Sequence, residues 1–148
     1  MLKPTRILVP TDFSEYSDRA LQQGLDIAKQ YNAELFLFHV IHKEYASCVA
    51  DACLTDNQIA GIEDRLLKTA QEGLRNQLAK FPRSQEVRVM SDVGRGAPYE
   101  AILKEADDRG IDLIVIASLG RSGMAKFFIG GVARNVLKGA KCPVLLTK

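Results

Sequence analysis

The feature that most constrains the fold is a series of short apolar runs, each separated from the next by a stretch with helical periodicity. Residues 7–9, 35–41 and 113–117 are apolar at nearly every position. A strand with one face in water alternates apolar and polar residues, whereas an uninterrupted apolar run is typical of a strand buried on both faces. These runs therefore predict the inner strands of a sheet that is covered on both sides.

Amphipathic patterns with a period of about 3.6 residues separate the strands and predict helices. They cover residues 14–31, 59–81, 98–110 and 131–138. The second pattern stops before Pro82, because the residue before a proline disfavours helical backbone. The third opens at Pro98 and is expected to be capped by Gly110, following the preference for proline at the start and glycine at the end of a helix.

Two further strands complete the pattern. Residues 86–91 alternate as an edge strand does, and residues 143–147 form a fifth, apolar strand. Strands that are joined by single helices must run parallel, with the helices on both faces of the sheet. The sequence therefore predicts one three-layer α/β/α domain over residues 1–148 with a five-stranded parallel sheet. Ligands of such sheets bind outside the carboxyl ends of the strands.

Composition limits the environment and the partners. With 47% hydrophobic residues in 148, the chain can fill one core without disulfides or a structural metal. It has no apolar run of about 18 residues and no secretory signal pattern at its amino end, so we expect no membrane association. The three cysteines suit a reducing compartment, and we expect a cytoplasmic location. A net charge of +2 gives no reason to expect a nucleic-acid partner.

The connection after the fourth strand has the composition of a phosphate-binding loop. Four glycines lie in or directly after it, Gly120, Gly123, Gly130 and Gly131. Glycine lets the backbone approach a ligand closely, and a helix start offers unpaired N–H groups at the positive end of the helix dipole. Arg121 and Lys126 add positive charge. The alternative is a glycine-rich surface turn without a ligand.

Five motifs, in order, resemble those of the universal stress protein family. They are Pro10-Thr11-Asp12 with the first strand, Phe38-His39-Val40 with the second, Gly94-x-Gly96-x-Pro98 before the third helix, Gly120-x9-Gly130, and VARNVLKGAKCPVLLTK at residues 132–148. The match spans essentially the whole chain. No single motif is decisive, but all five stand where the predicted strand ends would place them.

The resemblance implies an adenine nucleotide alpha hydrolase-like fold with strand order 3-2-1-4-5. It also implies a homodimeric module of stress response or signalling that binds ATP or AMP over strands one and four, with Mg²⁺ accompanying ATP. The nucleotide-binding positions carried over from the family are Pro10, Thr11, Asp12, Val40, Ala117, Ser118, Gly120, Arg121, Gly123, Gly130, Gly131 and Val132.

Two positions depart from the motif of the ATP-binding members, G-x2-G-x9-G-(S/T). Ala117 adds a methyl group where the family has glycine, and Gly131 lacks the hydroxyl group that would donate to a phosphate. Losing one hydrogen bond to a charged oxygen costs about 1.5 to 3 kcal/mol, so binding would weaken rather than vanish. The alternative function is a family member that has lost its nucleotide and acts only as a dimeric interaction protein.

Two of the carried-over positions also have structural explanations. Asp12 would be a polar contact to the nucleoside, but Asp12 and Glu15 have the spacing of a helix capping box. Val40 would lie near the adenine through its backbone, but a buried strand equally requires an apolar residue there. The sequence leaves both pairs of explanations open.

A zinc site is a weak alternative. His39, His42, Cys48 and Cys53 are candidate ligands, but histidines three apart on a strand face opposite sides and the chain has no CxxC pair.

Enzymatic alternatives are also weak. A phosphoacceptor receiver domain would use Asp92 at the end of the third strand, yet it needs an acidic pair after the first strand to hold Mg²⁺. A nucleotidyl transferase of similar layout would need a histidine-rich HxGH-type motif, and the chain has only two histidines. Neither Ser118 nor Ser122 has a histidine nearby to activate it. We therefore expect a binding protein that is at most a slow ATPase.

The fifth strand is the predicted dimer contact. Val144, Leu145 and Leu146 are consecutive apolar residues, and the strand order that the resemblance implies places them at an edge of the sheet. An apolar edge strand with no charge in it is normally covered. We expect two copies to pair through these residues about a two-fold axis.

Overall fold

The structure is a computed structural model, and it describes residues 1–42, 54–120 and 129–148. Within these ranges the strands are β1 (Arg6–Thr11), β2 (Glu34–His42), β3 (Val89–Gly96), β4 (Leu113–Ala117) and β5 (Val144–Thr147). All five described strands lie in one parallel sheet in the order β3-β2-β1-β4-β5. The predicted parallel sheet and its 3-2-1-4-5 order are confirmed.

Helices connect the strands as the periodicity predicts. In the described part of the chain they are α1 (Glu15–Tyr31), α2 (Asp56–Ala79), α3 (Pro98–Asp108) and α4 (Gly131–Gly139). The backbone of Gly110 has a φ of 61°, the left-handed geometry that favours glycine directly after a helix. Helix α2 ends at Ala79 rather than at residue 81, and a short 3₁₀ turn (Pro82–Gln85) follows it.

The core consists of two apolar clusters, one on each face of the sheet. Successive residues of a strand point to opposite faces, so Ile7 and Val9 of β1 pack against α1 and α2, while Leu8 packs on the side of α3 and α4. Leu21 and Leu74 represent the helices of the first cluster. This arrangement confirms the three-layer α/β/α architecture.

The predicted bounds of the third strand were wrong. The alternating segment 86–91 suggested a strand there, but β3 runs from Val89 to Gly96 and pairs with β2 over that whole length. At Gly94 a Cβ atom would lie 2.4 Å from Cζ of Phe38, so glycine leaves room for the Phe38 ring beside this strand. Asp92 consequently lies within the strand rather than at its carboxyl end, and its carboxylate accepts a hydrogen bond from Arg109 at 3.1 Å.

Some residues singled out by the sequence lie outside the described ranges. They are Cys48, Cys53, Arg121, Ser122, Gly123 and Lys126. Of the helices that the structure describes, none is both long and apolar enough to cross a membrane.

Candidate functional site

A cavity of about 430 Å³ lies at the carboxyl ends of β1, β2 and β4. Strands β1 and β4 are neighbours in the middle of the sheet, although β4 comes about a hundred residues later in the chain. The connections that leave them run to opposite faces, since β1 is followed by α1 and β4 by α4. A crevice at such a point is the expected ligand position of a parallel α/β sheet.

The cavity brings together every predicted site residue that the structure describes. These residues are Pro10, Thr11, Asp12, Val40, Ala117, Ser118, Gly120, Gly130, Gly131 and Val132. They come from three segments of the chain that are far apart in sequence. Arg121 and Gly123, which were also predicted, lie outside the described residues.

The other residues that line the cavity were not predicted as site residues from the sequence. They are Ser17, Phe38, His39, His42, Pro98, Ile102, Ile116, Leu119 and Ala133. The apolar members carry no signal of their own, because an apolar cavity wall has the same sequence pattern as a core. Both histidines were considered as zinc ligands, and His39 also stands in one of the family motifs. Among the described residues no group of three or more His, Cys, Asp or Glu side chains could hold a metal ion.

The turn between β1 and α1 places Asp12 at the cavity. Ser14, not Asp12, is the N-cap residue of α1, and its hydroxyl accepts a hydrogen bond from the backbone N–H of Ser17 at 3.2 Å. The capping-box explanation of Asp12 and Glu15 is therefore wrong. Asp12 instead accepts from the backbone N–H of Ser14 through Oδ1 at 3.0 Å, which stabilises the turn.

The other carboxylate oxygen of Asp12 faces the loop that follows β4. A Cβ atom at Gly120 would lie 3.0 Å from Oδ2 of Asp12, so a larger residue there would push the carboxylate aside. Asp12 and Gly120 thus form a close contact between the two connections that border the cavity.

An aromatic pair lies behind the turn. The rings of Phe13 and His39 stack with their centroids 4.3 Å apart. Nδ1 of His39 is 2.8 Å from the carbonyl oxygen of Thr11, and because a carbonyl oxygen only accepts, Nδ1 carries the proton in this hydrogen bond. His39 and His42 were expected to face opposite sides of β2, yet both border the cavity, His42 from the last position of the strand.

The amino end of α4 borders the cavity opposite this turn. Its N-cap residue is Gly130, which has no side chain to cap the helix, and the N–H of Gly130 donates to the carbonyl of Ser118 at 2.7 Å. The first N–H groups of a helix have no partner within it and stand at the positive end of the helix dipole. Gly131, Val132 and Ala133 bring this end to the cavity wall, where an anionic group could accept from it.

Position 117 is the last residue of β4. Ala117 is half-buried, borders the cavity and pairs with Thr147 of β5. The backbone N–H of Ser118 donates to the carbonyl of Thr147 at 2.8 Å, so the start of the long loop remains attached to the sheet. The side chain of Ala117 also packs against the apolar cluster on the α1 and α2 face of the sheet.

Sequence comparison relates the whole chain to one family. The model of the universal stress protein family matches residues 4–148. Universal stress protein MJ0531 of Methanocaldococcus jannaschii is 29% identical over 144 residues, which cover 97% of this chain and 81% of that protein. Universal stress protein MJ0577 of the same organism is 28% identical over 152 residues, with coverage of 97% and 94%.

Solved structures agree with this relationship. The structure of MJ0577 has a TM-score of 0.82 at 27% identity and covers 99% of this chain and 97% of its own. A universal stress protein in complex with cAMP has a TM-score of 0.67 at 23% identity, with coverage of 99% and 98%. One from Archaeoglobus fulgidus in complex with dAMP has a TM-score of 0.59 at 20% identity, with coverage of 99% and 100%. Together they confirm the adenine nucleotide alpha hydrolase-like fold.

Proposed function

This chain belongs to the universal stress protein family, and we propose on that basis that it binds ATP or AMP in the cavity between β1 and β4. The observation that carries the proposal is the convergence of the ten described motif residues on one cavity. Those positions were chosen from sequence motifs alone. If each of these ten residues served only the packing of its own element, they would not need to border the same cavity.

The chemistry of the cavity suits an adenine nucleotide. Phe38, Ile102 and Ile116 give it an apolar side for a base, and Asp12 offers carboxylate oxygens to ribose hydroxyls. The amino end of α4 provides backbone N–H donors for phosphate oxygens. Two relatives of the same fold were solved with cAMP and dAMP, which supports an adenine nucleotide as the ligand class.

The proposed activity is binding rather than turnover. Asp12 is the single carboxylate among the described lining residues, and its Oδ1 already accepts from the backbone of the β1–α1 turn. Hydrolysis would need a general base within hydrogen-bond reach of an attacking water. Mg²⁺ would enter with ATP, held mainly by its phosphates. We therefore propose a module of stress response or signalling in the cytoplasm that is at most a slow ATPase.

We further propose that the module is a homodimer that pairs through β5. Strand β5 is an edge of the sheet, and Leu145 exposes 38% of its surface. An exposed apolar side chain on a strand at the edge of the sheet supports an interface there.

Thermal unfolding with and without nucleotide tests the binding proposal. A ligand at 100 times its dissociation constant stabilises the folded state by about 2.7 kcal/mol, which raises the melting temperature by several degrees. We expect this rise with millimolar ATP and Mg²⁺ or with AMP, and a smaller one with GTP as the control for the base. Unchanged melting with both adenine nucleotides would favour the interaction-only alternative.

A further inference from the structure

The β1–α1 turn beside the cavity is held in an unfavourable backbone conformation. Phe13 has a φ of 65°, a left-handed geometry that is rare for a bulky residue. Such strain persists only where surrounding contacts impose it. The turn also carries Asp12, so whatever imposes its shape also sets where that carboxylate lies.

Helix α2 imposes part of this shape through Gln77. Gln77 is 2% exposed, and its Oε1 accepts from the hydroxyl of Thr11 at 2.8 Å. Its Nε2 donates to Oδ1 of Asp18 at 2.7 Å and to the hydroxyl of Ser17 at 3.3 Å. The hydroxyl of Thr11 in turn accepts from the N–H of Phe13 at 3.0 Å. One amide thus connects the end of β1, the strained residue and the first turn of α1.

These hydrogen bonds form one consistent network. The Thr11 hydroxyl lies within donating distance of Oε1 of Gln77 at 2.8 Å and of the Ser17 hydroxyl at 3.0 Å, and Ser17 donates to the carbonyl of Ser14 at 2.8 Å. Thr11 and Ser17 border the cavity, whereas Gln77 does not. Gln77 therefore acts on the cavity through its neighbours.

A second contact of α2 with the turn lies one helical turn earlier. A Cβ atom at Gly73 would lie 2.7 Å from Cζ of Phe13, so only a hydrogen atom at this position leaves room for the ring. The same ring stacks on His39, which borders the cavity. Gly73 and Gln77 are four residues apart and share one face of the helix.

We propose that this face of α2 is a positioning element for the nucleotide cavity. Gln77 fixes Thr11 and the strained turn, and Gly73 admits the Phe13 ring that supports His39. The inference rests on the proposed nucleotide binding and goes beyond it, because neither residue touches the cavity. It predicts that changes on α2, outside the site, alter affinity.

Two glycine replacements in α2 provide a matched test. Gly73→Ala and Gly61→Ala both raise helix propensity, but a Cβ atom at Gly61 meets none of the described residues within 4 Å. We expect Gly73→Ala to weaken AMP binding by about tenfold, the size of one lost hydrogen bond, and Gly61→Ala to stay within about twofold of wild type. Calorimetric titration measures both. Equal affinities in the two variants would overturn the inference.

A matched pair of glutamines tests the second contact. Gln77→Met keeps a side chain of similar length without the amide, and Gln71→Met makes the same change at an exposed position of α2. We expect about a tenfold loss of AMP affinity in the first variant alone. Equal affinities would overturn the role of Gln77. If Gln77→Met does not fold, the comparison of Gly73→Ala with Gly61→Ala still tests the inference.

The ligand-free protein gives an independent measurement. The chain has two histidines, so the ring resonances of His39 are simple to assign by NMR. Movement of the stacked Phe13 ring should shift them in Gly73→Ala but not in Gly61→Ala. A wild-type chain that binds no nucleotide would overturn the proposed function, and these resonances would then decide the inference: a selective shift supports it, and identical spectra overturn it.

Discussion

At the residue scale, positions 117 and 131 carry the two departures from the nucleotide-binding motif. Ala117 borders the cavity and also packs against the apolar cluster on the α1 and α2 face of the sheet. At Gly131 a Cβ atom would meet no residue of the described part of the chain within 4 Å. Ala117→Gly removes a methyl group, and a Cβ atom at position 131 meets no described neighbour, so restoring either motif residue produces no clash within the described part of the chain.

Restoring both residues should tighten nucleotide binding. In Ala117→Gly/Gly131→Ser the serine hydroxyl can donate to a phosphate. The glycine at position 117 removes the methyl group that the family motif lacks. One charged hydrogen bond is worth about 1.5 to 3 kcal/mol, so we expect affinity for ATP to rise by about tenfold or more. Titration calorimetry measures the gain, and adenosine serves as the control because it presents no phosphate. An unchanged affinity for ATP would show that phosphates do not reach Gly131.

The residues that line the cavity and the residue that positions them, Gln77, differed in how well the sequence could predict them. Asp12, Gly120 and Gly130 stand in family motifs, and the fold brings them together. Gln77 had no such signal, because its partner Thr11 lies 66 residues earlier and a glutamine in an amphipathic helix is ordinarily at the surface. A contact between distant elements leaves no periodic trace in either one.

At the element scale, β1 and β4 are joined at their amino ends by one carboxylate. Asp112 accepts from the backbone N–H groups of Thr5 at 2.9 Å and Arg6 at 3.0 Å, and from the hydroxyl of Thr5 at 2.6 Å. Burial alone would raise the pKa of Asp112, but these hydrogen bonds outweigh it and lower the pKa below the ordinary value. The ionised form is therefore the one that stabilises the fold.

Replacing Asp112 by asparagine should have a pH-dependent effect. A carboxylate with a lowered folded pKa contributes its full stability above the unfolded pKa and loses it as the pH falls through the folded value. We expect Asp112→Asn to unfold more easily at pH 7 by about 1 kcal/mol and the difference to shrink below about pH 4.

Urea unfolding across this pH range measures the difference. Asp107→Asn is the matched control, because Asp107 forms an exposed ion pair with Lys141 at 2.7 Å and exposed pairs contribute little. A gap between Asp112→Asn and wild type that stays constant down to pH 2.5 would contradict the assignment.

Elements were predictable where burial determined them and less so at the sheet edge. Strands β1 and β4 are buried at nearly every position, and their apolar runs marked them within a few residues. Strand β3 is an edge strand with polar residues and two glycines, so its sequence carries no apolar run. Its bounds are set by pairing with β2, from Val89 opposite Leu35 to Gly96 opposite His42.

At the scale of the whole molecule, the proposed dimer can be tested with two equally exposed leucines. Leu145 on β5 and Leu137 on α4 both expose 38% of their surface. We expect Leu145→Lys to give a monomer, because a charge would be buried without a partner in the paired strands, and Leu137→Lys to keep the dimer mass. Light scattering at tens of micromolar measures both. A monomer mass for the wild-type chain would contradict the interface.

The position of β4 beside β1 also has a consequence for how the protein is made. Thr5 and Asp112, whose contact joins these strands, are 107 residues apart in sequence. During synthesis β1, β2 and β3 leave the ribosome first, and the long closure between β1 and β4 comes late and is intrinsically slow. The two walls of the cavity meet only at that step. A ligand in this cavity would therefore report that β4 has been synthesised and has paired with β1.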